Sequence, residues 1–98
     1  MKKVSEKMLK DYAEGVSNRI TLSKTANGNR VDITRKTTTR EKSVVGNLVL
    51  AGLLAIRSGE ADKRAAASTA EYAANLLLKD VNGYDSVFCP IMEFDFSS

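Results

Sequence analysis

Residues 19–36 read RITLSKTANGNRVDITRK, with Asn27-Gly28 at the centre of two alternating apolar and polar segments. A two-residue type I′ turn needs positive φ at both central positions, which Asn and Gly tolerate best, so the stretch predicts a β-hairpin with strands over 19–25 and 30–36. The register follows by counting outward from the turn. Leu22 faces Ile33, Lys24 faces Val31 and Ile20 faces Arg35 on one side. On the other, Thr21 faces Thr34, Ser23 faces Asp32, Thr25 faces Arg30 and Arg19 faces Lys36. Ile20, Leu22, Val31 and Ile33 are thereby set to be buried, and the opposite face is wholly polar; a slip of one residue would mix the two sets.

The rest of the chain arranges itself around this ribbon. Upstream, Met8, Leu9, Tyr12, Ala13 and Val16 recur at spacings of three and four, which predicts a helix over about 5–16 with Ser5 as its cap. Downstream, Thr38-Thr39-Arg40-Glu41 has the spacing of a capping box and opens a second helix to about Arg57, with Gly59 where a left-handed C-cap is expected. Residues 44–56 are apolar on nearly every side, interrupted only by Asn47, and predict a buried core helix. Thirteen residues rise only ~20 Å, too little to cross the ~30 Å hydrocarbon core of a bilayer.

A third helix is expected from Ala61 or Asp62 to about Asp80, with Ala66, Ala70, Ala73, Ala74 and Leu77 set against the second helix across a short loop. Residues 86–96 alternate Phe88, Met92, Phe94 and Phe96 with polar or smaller neighbours and predict a final strand, at an edge or bulge near Pro90, which cannot donate to a ladder. The expected fold is a single α+β domain over 1–98: an N-terminal helix, an antiparallel β-hairpin, a helical hairpin packed on the sheet, and a C-terminal strand.

Composition narrows the chemistry. The 98 residues contain no His, no Trp, one Cys and one Pro. Absence of His removes the commonest proton-transfer group near neutral pH and the commonest metal ligand. A lone Cys makes no internal disulfide, and the basic start carries no apolar run of the kind a signal peptide needs, so a reducing, cytoplasmic setting is expected. Cys89, with no His to activate it, reads as a small buried hydrophobe. Gly46 and Gly52 lie within a helix and are not followed by the Lys-Ser/Thr of a phosphate-cradling loop. No local spacing sets two carboxylates as an acid and base pair. The chain is therefore expected to be no enzyme and to need no cofactor or metal.

Charge gives the leading functional expectation. Net charge is +3, but residues 1–40 hold ten basic and four acidic residues (+6) against five and eight (−3) in the remainder. This polarity suits an anionic partner or an oligomer in which unlike halves meet. The expected contact surface is the polar hairpin face with the second helix's start: Arg19, Thr21, Arg30, Thr34, Lys36, Thr37, Thr39 and Arg40. A two-stranded ribbon fits the major groove of DNA, hydroxyls and cationic side chains contact phosphates and base edges, and first-turn amides add an anion site. With no aromatic residue on that face to stack on bases, duplex DNA is favoured over RNA.

The bland reading of the same face is a solvated sheet surface. The basic first helix, where four lysines meet Glu6, Asp11 and Glu14, likewise reads as solvated, and no membrane is expected as a partner. A helix as apolar as 44–56 in so short a chain also predicts self-association, with Gly46, Ala51, Gly52 and Ala55 permitting close crossing. The alternative function is a non-catalytic protein-binding module, either a phage-type host-factor inhibitor or a self-assembling structural subunit.

Overall fold

Ser5 caps the first helix, α1 (Glu6–Ser17), its side chain accepting from the Met8 amide at 3.3 Å. The computed structural model describes residues 4–78, the backbone of 86–88, and 91–96. α1 buries Leu9, Ala13 and Val16, while Met8 at the edge of the stripe stays 42% exposed. The hairpin follows as β1 (Thr21–Ala26) and β2 (Asn29–Asp32), reversing through Asn27 (φ 52°) and Gly28 (φ 80°), the two positive angles a type I′ turn requires. The register is the expected one: Ser23 opposite Asp32, Lys24 opposite Val31, Thr25 opposite Arg30. One further bond, from the Ile33 amide to the Leu22 carbonyl at 2.8 Å, ends the ladder.

Beyond Ile33 the chain leaves the ribbon, so the expected Thr21–Thr34, Ile20–Arg35 and Arg19–Lys36 pairs are not part of the ladder. The other edge of β1 is taken instead by β3 (Ser86–Phe88), antiparallel, with Thr21 opposite Phe88; the sheet order is β2-β1-β3. Two burial expectations need correction for the same reason. Leu22 is 3% exposed and Ile20 and Ile33 pack against the core, but Val31 is 44% exposed. The ribbon outruns the body that covers it, and Val31 lies beyond the last covered pair. Conversely, Ser23, assigned to the polar face, is 6% exposed; it is flanked by strands on both sides, and its hydroxyl donates to Asp32 Oδ1 at 2.9 Å.

α2 (Thr39–Arg57) begins with both bonds of the capping box: the Glu41 amide donates to Thr38 Oγ1 at 3.1 Å and the Thr38 amide to Glu41 Oε1 at 2.6 Å. It ends in a Schellman motif, with Glu60 N–H on the Ala55 carbonyl, Gly59 N–H on the Ile56 carbonyl, and Gly59 at φ +81°. The helix is not buried all round. Glu41, Val45, Val49 and Leu53 form one fully covered stripe at i, i+4 spacing, whereas Leu48, Leu50 and Leu54 are half-buried and Ala51 is exposed.

α3 (Lys63–Leu78) starts where Asp62 Oδ1 accepts the Ala65 amide at 2.7 Å, and it runs back along α2. Ala66, Ala70 and Ala74 are buried as expected and Ala73 half-buried; Leu77, expected at the same seam, is 55% exposed, and Leu78 takes the core position. The expected stop at Asn82-Gly83, and Cys89 and Pro90, lie outside the described residues.

α2 is the central helix, with α1 on one flank and α3 on the other, and Leu22 joins the sheet to the same core. The eleven-residue final strand is a misreading. Among the described residues of that stretch only Ser86–Phe88 pair, and residues 91–96 turn, with the Phe94 amide on the Ile91 carbonyl at 3.2 Å. Ile91 and Phe94, three apart, both point inward, which strand alternation would forbid. Phe94 stacks edge-on with Tyr12 and Phe96, closing α1 against the tail.

Candidate nucleic-acid interface

The residues expected to hold phosphates fall into two groups. Near the base of the hairpin, Arg19, Thr21, Thr34, Lys36, Thr39 and Arg40 are exposed and Thr37 is half-buried. Arg19 closes α1, its Nε donating to the Gly15 carbonyl at 3.0 Å. Arg30 stands apart. Opposite Thr25, it lies four residues along the ribbon from Thr21, about 13 Å at a strand's rise. The structure thus gathers most of the expected set and leaves Arg30 on the projecting arm.

Lys36 and Thr37 line an open hollow of about 450 Å³ with Asn18, Ile20, Arg35 and Lys42. Thr39 lines a second hollow of about 410 Å³, between α1 and α2, to which Lys10, Glu14, Asn18 and Lys42 also contribute. Because Asn18 and Lys42 border both, the two make one continuous shallow track with Lys36, Lys42 and Lys10 along it. Lys10 also lies 3.8 Å from Glu6, but both side chains are more than half exposed and the pair holds little energy.

The residue that organises this region is one that alternation alone misassigned. Arg35 does not continue the strand; its guanidinium turns in to meet Glu41, with Nη1 on Oε1 at 3.0 Å and Nη2 on Oε2 at 2.7 Å, and Nη1 also reaches the Lys36 carbonyl. Glu41 is wholly buried. The Arg35 hydrogen bonds hold its carboxyl below the usual glutamate range, against burial, with the Thr38 amide adding in the same direction.

This has a consequence for the helix start. The cap uses the Glu41 amide, and the Lys42 amide bonds back to the Thr38 carbonyl, leaving the Thr39 and Arg40 amides outside it. The Glu41 carboxylate already answers the helix dipole there. The positive charge beside this helix start therefore comes from Lys36 and Lys42 rather than from the helix dipole.

Sequence reasoning missed Asn18 and Lys42. Lys42 lies three residues beyond Thr39, on the same helix face, a spacing that would have placed it beside the expected set. Among the described residues no three His, Cys, Asp or Glu are grouped as metal ligands, and no helix is long and apolar enough to cross a membrane. Comparison with protein-family models, with curated proteins and with solved structures finds no match for this chain.

Proposed function

We propose that this is a non-catalytic, cytoplasmic nucleic-acid-binding or regulatory protein. It holds the phosphates of duplex DNA with the base of its hairpin and the Lys36–Lys42 track, and works as a homo-oligomer. One observation carries the reading: two of the acids near this surface are engaged internally, and Glu14, which lines the track, is outnumbered there by Lys10, Lys36 and Lys42. Asp32 accepts Ser23, and Glu41 is sealed against Arg35. Arg19, Lys36 and Arg40 make no ion pair among the described residues, so their charge faces solvent undiminished. The threonines between them supply hydroxyls at the spacing of a phosphate-contacting surface.

Fluorescence anisotropy with a labelled duplex at 50 and 200 mM salt tests it. Four phosphate contacts predict a loss of affinity of roughly 100-fold between those concentrations. The Arg19→Glu/Lys36→Glu protein should lose binding while its melting temperature stays nearly unchanged, because both side chains are exposed. Salt-insensitive binding, or full binding by that variant, rejects the assignment. A second reading, a protein-binding module, is favoured by β2, a sheet edge exposed along its length with Val31 open to solvent. Such an edge can accept an added strand.

A further inference from the structure

We propose that β2 pairs antiparallel with β2 of a second copy of this chain, about a two-fold axis through Val31, so that two three-stranded sheets join into one. This pairing rests on the self-association part of the reading above and is independent of the nucleic-acid part. β2 is an edge of the sheet, and Asn29, Arg30, Val31 and Asp32 are all exposed. The hairpin register decides which main-chain groups that edge presents. The Ile33 amide donates to the Leu22 carbonyl. Direction alternates along an antiparallel strand, so Val31 also turns its amide and carbonyl toward β1, while those of Arg30 and Asp32 point to the open edge. An added antiparallel strand bonds only where outward groups meet outward groups.

The occupant is chosen by charge. A two-fold axis that meets this condition passes through Arg30, Val31 or Asp32; an axis between residues sets outward groups against inward ones and forms no ladder. An axis through Arg30 opposes two guanidinium groups, and one through Asp32 opposes two carboxylates. Through Val31, Arg30 lies opposite the partner's Asp32 and Asp32 opposite the partner's Arg30. The strand is then complementary to itself in sign, twice over. Charges on an edge strand usually keep other strands away; here unlike charges two residues apart favour one register and reject its neighbours.

The side chains suit that register. Asp32 Oδ1 accepts from Ser23 at 2.9 Å, and a carboxylate's remaining lone pairs can still meet a guanidinium. On the opposite face Val31, 44% exposed, meets the partner's Val31 as a non-hydrogen-bonded pair, Cα atoms about 4.5 Å apart. Lys24, opposite Val31 in the hairpin, stands three strand spacings, about 14 Å, from the partner's Lys24, too far to oppose the pairing in salt. Arg30 and the partner's Asp32 exchange two main-chain bonds, as do Asp32 and the partner's Arg30. So short a strand buries less than the ~1,200 Å² of a stable complex, and a weak dimer, dissociating at about 100 μM, is the expected product.

Sedimentation velocity of the full chain without nucleic acid, across micromolar to millimolar concentration, should show mass rising from 10.7 kDa toward twice that value. Arg30→Pro removes an outward amide that the hairpin ladder does not use, so it should weaken the dimer ~30-fold with a nearly unchanged circular dichroism melt. Arg30→Asp and Asp32→Arg each set like charges opposite one another and should each weaken it ~10-fold or more. An equimolar mixture of those two variants should regain a dimer, which no defect within a single chain would allow. In a Cys89→Ser background, Val31→Cys should form a symmetric disulfide in oxidised glutathione. Arg30→Cys should not, because its two copies lie about 8 Å apart. A 10.7 kDa species at every concentration overturns both the pairing and the self-association reading. A dimer undiminished in Arg30→Pro, no recovery on mixing, or equal cross-linking of the two cysteine variants overturns the pairing alone. Loss of DNA binding with this dimer intact removes only the nucleic-acid reading and supports the pairing.

Discussion

Removing the Glu41 carboxylate is the perturbation with the largest consequence. The side chain has no solvent exposure and holds three donors at once, both Arg35 amino groups and the Thr38 amide. Glu41→Ala leaves an inward-turned guanidinium without its acid and removes half the cap of α2. Breaking a buried pair by deleting one partner costs about 3–5 kcal/mol. The Arg35 side chain keeps 24% exposure and recovers some hydration, so ~3 kcal/mol is expected, or ~12–20 °C in melting temperature for a chain of this size. Thr38→Ala, which removes only the other half of the cap, should cost ~1 kcal/mol. Because the two residues share the cap, the double variant should lose less than the sum.

The dependence on pH gives an independent check. The folded carboxyl titrates below its ordinary value of 4.5, so its stabilisation is fully present above the unfolded value and is lost as pH falls through the folded one. The gap between wild type and Glu41→Gln in urea unfolding should therefore be constant from pH 7 to about 5.5 and shrink below about 4.5. A Glu41→Ala protein within ~0.5 kcal/mol of wild type at pH 7 would refute the reasoning, as would a gap that widened in acid.

Three further outcomes follow from the packing. A side chain built at Gly46 meets Ser17 Cβ at 3.2 Å where α1 crosses α2, so Gly46→Leu should cost ~1–3 kcal/mol by chemical denaturation; no loss would show that this crossing is loose. Leu22→Ala should cost ~2–4 kcal/mol and Val31→Thr within ~0.5 kcal/mol of nothing, although the two lie on the same ribbon face; equal costs would mean the arm is covered in solution. Gly59→Ala meets no atom within 4 Å, so its cost is the backbone strain of φ +81° alone, about 1 kcal/mol, readable as a lower thermal midpoint.

The parts of the fold legible in the sequence are those fixed by local chemistry. Asn27-Gly28 has few ways to reverse a chain, Thr38 and Glu41 satisfy each other's amides within four residues, and Gly59 can adopt an angle that other residues resist. Each of these was correct to the residue. The misreadings arise where local pattern and tertiary placement disagree. Val31 has the right parity to be buried, but parity cannot say where the body beneath the ribbon stops. Residues 91–96 alternate like a strand, yet Ile91 packs at Gly52 and Phe94 against Tyr12, contacts supplied by distant parts of the chain. Leu77 has the helical spacing of the α2 seam but is exposed, and its neighbour Leu78 is the residue that the core covers.

Arg35 shows why the candidate surface was only half legible. By strand parity it sits opposite Ile20 on the apolar side of the ribbon, with no partner for its charge, and by charge counting it adds to the +6 of the first forty residues. Its actual partner is six residues away across a helix start, a distance at which neither strand nor helix periodicity predicts contact. The pairing changes the electrostatics of the whole region, because it takes one cation and one anion out of solvent together. What remains outside, Arg19, Lys36, Arg40 and Lys42, is less charge than the sequence totals but less neutralised than they imply. Lys36→Ala and Lys42→Ala should each lower the slope of log affinity against log salt by ~1, whereas Arg35→Ala should lower stability and leave that slope unchanged in whatever fraction stays folded. A slope change confined to Arg35→Ala would mean that the inward pair opens on binding, and that the phosphate contact belongs to Arg35 and not to the two lysines.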